Sequence, residues 1–66
     1  MAGWKPEKIR AELILHGKRQ TEIAKKLGVS PVIVANVIKN TRTSGRVRKE
    51  IAKAVKSTVK EIWPIF

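Results

Sequence analysis

The sequence contains no cysteine, a single histidine and no long apolar run. Without cysteine, neither a disulfide framework nor a thiolate metal site is available, and one histidine does not make a metal site by itself. The apolar runs are far too short to span a bilayer, and the N-terminus does not have the pattern of a signal peptide. We therefore expect a cytoplasmic protein without a membrane partner or a bound metal.

Patterns that support catalysis are also missing. There is no Ser-His-Asp set, no plausible pair of carboxylates and no glycine-rich phosphate loop. A chain of 66 residues also leaves little volume for a small-molecule cleft. We expect a non-enzyme that needs no cofactor and binds no small-molecule ligand, and we interpret His16 as an ordinary residue at a helix end.

Positive charge is present in excess. Fifteen Lys and Arg residues against five acidic residues give a formal charge of +10. In so short a chain this excess indicates a polyanionic partner, which means DNA, RNA or an anionic membrane surface. The length fits one domain, residues 1–66, with a modest core.

Residues 20–39 have the pattern of two short helices joined by a tight turn. Gly28 is suited to end the first helix in the left-handed conformation, whereas Ser30 is a good N-cap and Pro31 fits the first helical position. Ala24 is small enough to let the two helices cross closely. The combination is typical of a DNA-binding helix-turn-helix, and a plain basic helical bundle is the alternative. The apolar stripe consists of Ile23, Ala24, Leu27, Val34, Val37 and Ile38.

The rest of the chain predicts three further helices. Pro6 and Gly17 mark the ends of the first helix, Ser44 caps the fourth, and Ser57 or Thr58 caps the fifth. We predict an all-α fold, a compact bundle of four to five short helices. The expected helix bounds are about 6–16, 20–27, 31–39, 46–55 and 58–62.

Ile14 and Leu15 extend the apolar side of the first helix beyond Ile9 and Leu13. A helix in a small domain usually buries one stripe, so we expect one of Ile14 and Leu15 to be exposed. Two interpretations stay open. The pair forms a self-association patch, or it widens a buried face against the C-terminal segment.

The helix at 31–39 is the candidate recognition helix. Asn36 faces away from the apolar stripe, and an asparagine amide can bond adenine N6 and N7 together in the major groove. Val32 and Ile33 are β-branched apolar residues, which gain no stabilisation from a solvated helix face. Contact with thymine methyl groups would explain one of them. A solvated polar residue is the alternative interpretation of Asn36. The predicted base contacts are Val32, Ile33, Asn36 and Lys39.

Backbone contacts are predicted on both sides of this helix. Gln20 lies at a helix N-terminus, where N–H groups and a side chain can bind phosphate together. Arg46, Arg48 and Lys49 lie in the first turns of the fourth helix, where basic residues oppose the helix dipole. A bound phosphate would supply the missing counter-charge, and a solvated charged face is the alternative. The predicted backbone contacts are Gln20, Ser30, Asn40, Arg42, Thr43, Ser44 and Arg46.

Several motifs resemble one family over nearly the whole chain. They are Trp4 with the helical start after it, Leu27-Gly28, Pro31, Ala35-Asn36 and the ending Glu61-Ile62-Trp63-Pro64. With them the sequence resembles the Ner family of phage transcriptional regulators and their bacterial relatives, within the lambda-repressor-like helix-turn-helix class. The resemblance implies a five-helix repressor or regulator of the bacterial nucleoid or a phage-infected cell, with the third helix in the major groove. The loop at 41–45 departs from the family's tryptophan-proline-lysine-glycine type, and Ile14 and Leu15 replace positions expected to be polar.

Three functions fit the sequence. The first is sequence-specific binding of double-stranded DNA by a small regulator. The second is non-specific nucleic-acid binding by an architectural or recombination protein, with the charge providing the affinity. The third is a peripheral membrane or protein-partner module, which is the weakest because no single helix is both long and strongly basic on one face.

Overall fold

A computed structural model describes residues 3–64 of the chain. These residues form five helices and no strand, so the predicted all-α fold is confirmed for the described part. The bounds match the expected ones for α2 and differ by one residue at one end of α1, α3 and α5 and at both ends of α4. The helices are α1 (Pro6–Leu15), α2 (Gln20–Leu27), α3 (Pro31–Ile38), α4 (Gly45–Ala54) and α5 (Val59–Ile62).

Serine side chains begin both α3 and α4. The Oγ atom of Ser30 accepts a hydrogen bond from the N–H of Val32 at 3.2 Å, and Pro31 occupies the first helical position. The Oγ atom of Ser44 accepts from the N–H of Val47 at 3.4 Å. Because the first N–H groups of a helix have no partner inside it, such caps stabilise a helix by about 1 kcal/mol each.

The short helix α5 begins with a capping box. The hydroxyl of Thr58 accepts from the N–H of Glu61, and the Oε1 atom of Glu61 accepts from the N–H of Thr58. The hydroxyl of Ser57 also donates to this Oε1 atom at 2.8 Å. The hydrogen bonds from Ser57 and Thr58 hold the pKa of the Glu61 carboxyl below its ordinary value, because they stabilise the charged form.

The helices α1 to α4 all end with a residue in the left-handed conformation. These residues are Gly17, Gly28, Asn40 and Lys56, with φ between 56° and 71°. After α2, the N–H of Gly28 donates to Lys25 and the N–H of Val29 donates to Ala24, which is the Schellman pattern. The other three ends repeat these two bonds. Gly17 and Gly28 end their helices as the sequence predicts, whereas Asn40 and Lys56 adopt a conformation that costs a residue with a Cβ about 1–2 kcal/mol.

The core lies where α3 meets α1, α2 and α4, with α5 packed against α4. All three inward residues of α3 are almost completely buried. Full burial of a side chain of this size contributes about 1.5–3 kcal/mol, so α3 is held firmly by its inner side. The buried apolar residues are Ile9, Leu13, Ile23, Ala24, Val34, Val37, Ile38, Val47, Ile51, Ala52, Val55, Ile62 and Trp63.

Arg48 of α4 is inside the protein. Its residue surface is only 3% exposed, its Nη2 atom donates to Oδ1 of Asn40 at 3.2 Å, and its guanidinium lies 5.1 Å from the centre of the Trp63 ring. Our interpretation of Arg48 as a surface residue that binds phosphate is therefore wrong. Arg48 connects α4 to the end of α3 and to the segment after α5.

Ile14 and Leu15 are both exposed, at 75% and 76% of their surface. We expected one of them to be exposed, and both are, so the interpretation as a wider buried face against the C-terminal segment is wrong. The reason is the helical period, because the inward stripe of α1 follows Ile9 and Leu13, four residues apart. Ile14 and Leu15 are rotated from Leu13 by about 100° and 200°, away from that stripe.

The start of the described chain is hydrogen-bonded to the segment near its end. The N–H of Trp4 donates to the carbonyl of Ile62 at 3.0 Å, and a Cβ atom on Gly3 would overlap that carbonyl. Trp4 is partly buried against the core, and the ammonium of Lys8 lies 4.6 Å from the centre of its ring. Gly3 thus allows the two ends of the fold to approach each other closely.

Candidate nucleic-acid interface

The pair α2 and α3 presents one side of α3 to solvent. Ala24 of α2 is buried, α2 packs against α3, and the turn between them uses Gly28 in the left-handed conformation. Val29, inside the turn, is partly buried and packs against the core. A small residue at the crossing and a tight glycine turn are what a helix-turn-helix requires. The predicted motif is therefore formed.

The outward side of α3 is centred on Val32 and Asn36. Val32 is 64% exposed, Asn36 is partly exposed, and Lys39, just after the helix, is exposed. Positions four apart lie one above the other on a helix, so Val32 and Asn36 form one continuous strip. Ile33 lies at the margin instead, since its side chain is partly buried and packs against the core.

The carbonyl end of α3 is tied to the loop that follows. The N–H and the hydroxyl of Thr41 both donate to the main-chain carbonyl of Asn36, at 2.9 and 3.2 Å. These bonds use the main-chain carbonyl of Asn36 and not its side-chain amide. The Oδ1 atom of Asn40 accepts from Arg48, so the Asn40 side chain points toward α4. Of the predicted backbone contacts in this loop, Arg42 and Thr43 are exposed.

Two polar contacts fasten α4 to the end of α2. The Nη2 atom of Arg46 donates to the carbonyl of Leu27 at 3.1 Å, and Nζ of Lys26 lies 2.9 Å from Oε2 of Glu50. A guanidinium at the C-terminal end of a helix also interacts favourably with the helix dipole. Arg46 is exposed, and a guanidinium has further N–H groups besides the one that donates to Leu27. Sequence reasoning did not find these contacts, because the sequence does not show which residues 19 or more positions apart come together in the fold.

The start of α2 carries Gln20, which is partly exposed. The backbone N–H of Arg19, directly before it, donates to Oε1 of Glu22 at 2.9 Å. A carboxylate in the first turn stabilises the helix, but it also places negative charge beside the predicted phosphate position. Ser30 is exposed at the start of α3, and its hydroxyl still has a proton to donate after accepting from Val32.

A family model described as winged helix-turn-helix DNA-binding matches residues 3–65. The chain belongs to the winged helix-turn-helix DNA-binding family. The match contains α2, the turn and α3, so the predicted DNA-binding helix-turn-helix is confirmed. This DNA-binding family is typically non-enzymatic. No curated protein and no solved structure matches the chain significantly.

The winged family's name refers to a β-hairpin beside the helix-turn-helix, yet residues 3–64 contain no strand. After α3 the described chain has the loop at 39–44 and then α4. The same residues include no cluster of three or more His, Cys, Asp or Glu side chains that would hold a metal ion. No helix in this part of the chain has the length and apolar character needed to cross a membrane.

Proposed function

We propose that this protein is a small transcriptional regulator that binds specific sequences in double-stranded DNA, with α3 in the major groove. The observation that carries the proposal is the division of α3 into two sides. Val34, Val37 and Ile38 are buried, whereas Val32 and Asn36 are presented on the opposite side. The proposed base contacts are Val32, Asn36 and Lys39, with Ile33 at the margin.

Phosphate contacts on either side of α3 would fix its depth and angle in the groove. Such contacts set the register of a protein on DNA without reading sequence. Gln20 and Ser30 at the helix starts, and Arg42 and Thr43 in the exposed loop, have the placement for this role. Ser44 and Arg46 provide phosphate contacts from the start of α4. Asn40 provides one through its side-chain NH2 group, because its Oδ1 atom accepts from Arg48.

The proposed regulation is repression, in the manner of the Ner family that the sequence resembles. A DNA-binding domain can repress simply by occupying a promoter. Its place of action would be the bacterial nucleoid or a phage-infected cell. The motifs Leu27-Gly28 and Ala35-Asn36 support this relationship, since they lie at the turn and on α3.

Self-association through Ile14 and Leu15 is proposed only for copies bound side by side on DNA. Two side chains are far less than the roughly 800 Å² per partner that a stable interface buries. A contact this small adds cooperativity when DNA holds two copies next to each other. Binding to a palindrome would then be stronger than to an isolated half-site, and Ile14→Ser would remove that difference.

Selection of bound sites from a randomised duplex pool, at about 150 mM salt, tests the proposal. Weak electrostatic contacts are partly screened at this ionic strength, so base recognition must appear as an enriched motif. Asn36→Ala should weaken the preference for the motif and keep the salt dependence, whereas Lys49→Ala, an exposed basic residue of α4, should keep the preference. Tight, salt-sensitive binding without any enriched motif would overturn the proposal.

Tight, salt-sensitive binding without an enriched motif is what we expect of the alternative function, a non-specific nucleic-acid-binding protein of the architectural or recombination type. The observation that favours it is the net charge of +10. A protein of this kind would bind duplexes of any sequence with nearly equal affinity. Asn36→Ala would then leave binding almost unchanged.

A further inference from the structure

The side chains that distinguish G·C from A·T pairs most directly are absent from α3. Arg and Lys bind guanine O6 and N7, and Asp and Glu accept from cytosine N4. The helix Pro31–Ile38 contains none of these four residue types. Lys39 lies beyond the last helical residue, at the edge of the outward strip. The centre of the strip can therefore offer only an amide and an apolar surface to the bases.

The burial of Val32 and Ile33 decides which of them supplies that apolar surface. Ile33 is partly buried and packs against the core, so its position is explained by folding. Val32 is 64% exposed and is one of the three large hydrophobic residues that the described chain leaves most open to water. Contact with a thymine C5-methyl group would remove both apolar groups from water.

Val32 and Asn36 are close enough to act on neighbouring base pairs. Four residues of an α-helix span about 6 Å along its axis. Successive base pairs are about 3.4 Å apart along the DNA, so the two side chains reach pairs within about two steps of each other. A methyl contact and an adenine contact at this spacing require at least one A·T pair, and two where the side chains reach different base pairs.

We infer that α3 recognises a short A·T-containing element, in which Val32 contacts the methyl group of a thymine and Asn36 binds N6 and N7 of an adenine. This inference rests on the proposed function and specifies its target. The element lies where α3 enters the major groove in each bound site or half-site, and Lys39 contacts its edge.

The test combines the removal of one chemical group from a DNA base with the truncation of one side chain of the protein. In the enriched duplex, each thymine is replaced in turn by deoxyuracil, which loses only the methyl group, and each adenine by 7-deazaadenine, which loses the N7 acceptor. Dissociation constants are measured for the wild type, Val32→Ala and Asn36→Ala. Ile33→Val, which removes one methylene from the core-packed neighbour, is the matched control.

For the wild type, deoxyuracil at one thymine should weaken binding about fourfold, the equivalent of one buried methylene. Val32→Ala should bind the two duplexes equally, because its methyl partner is gone, whereas Ile33→Val should still lose about fourfold. Asn36→Ala should become insensitive to one 7-deazaadenine substitution in the same way. Such coupling does not arise from a structural role, since damage to the fold weakens binding to all duplexes alike.

Two failures can be told apart. If selection yields no motif, the proposed function itself fails. If a motif is enriched but its site or half-site contains no A·T pair, the proposed function stands and this inference is overturned. The same holds if Val32→Ala and the wild type lose the same affinity on every deoxyuracil duplex.

Discussion

The helices α3 and α4 use their surfaces in opposite ways. The residues of α3 include no charge, and its outward strip is proposed to meet the DNA. In α4 four basic residues accompany one acid, yet Arg48 is buried and Arg46 binds the carbonyl of Leu27. In the more basic helix, two arginines therefore make contacts that stabilise the fold.

This difference shows that positive charge in a sequence does not locate the base-reading surface. A charge count indicates a polyanionic partner, because charge acts over a distance of about 10 Å. Base recognition needs contact, and contact depends on which side chains the core leaves outside. Burial is therefore the better guide to the interface, and each of the following variants tests that division of roles.

The largest effect is expected for Arg48→Ala. The change removes a buried guanidinium that donates to Asn40 and lies against Trp63, so we expect a loss of about 2–4 kcal/mol in the free energy of unfolding. Urea unfolding, followed through tryptophan fluorescence, measures it. The neighbouring exposed Lys49→Ala should change stability by less than about 0.5 kcal/mol. Equal effects of the two variants would show that burial does not separate their roles.

A smaller effect is expected for Arg46→Ala, which removes the hydrogen bond to Leu27. Because Arg46 is exposed, we expect about 0.5–1 kcal/mol less stability. Arg42→Ala, in the exposed loop, should leave stability unchanged. Each variant should lower the slope of log affinity against log salt by about 0.9 if it removes one phosphate contact. An Arg46→Ala protein with wild-type stability would contradict the structural role of this contact.

The smallest effect is expected for the ion pair between Lys26 and Glu50. A double-mutant cycle with alanine should give a coupling free energy of about 0.2–1 kcal/mol, since Lys26 is exposed at the surface, where water and salt screen the partly buried Glu50 from it. The same cycle with Lys25, which is also exposed in α2, should give no coupling. Coupling of equal size in both cycles would mean that Glu50 responds to general charge and not to its neighbour.

Much of the fold could be predicted from local chemistry. Gly28 ends α2, Pro31 and Ser30 begin α3, and Ser44 caps α4, because each of these residues acts on its own neighbours. The outward position of Asn36 follows from the helical period alone. Both partners of an interaction within about four residues are close together in the sequence, so such an interaction can be predicted from the sequence alone.

The rest depends on contacts between distant residues. Nothing near Arg48 distinguishes it from Lys49, and its burial results from the position of Asn40 and Trp63 in the folded chain. The same holds for Ile33, which packs against the core although Val32 beside it does not. For the candidate site, the sequence therefore predicted the helix and its central amide, while the choice between Val32 and Ile33 required the structure.

The repeated closure of α1 to α4 by left-handed residues has a consequence for folding time. Each of these helix ends forms bonds between residues no more than five positions apart, so the structure is assembled largely from local contacts. Helical proteins rich in local contacts fold within microseconds to milliseconds. A ribosome needs roughly 3–13 s to make 66 residues at about 5–20 residues per second. The amount of folded protein in the cell therefore follows synthesis without delay, which suits a DNA-binding protein whose occupancy of DNA depends on its concentration.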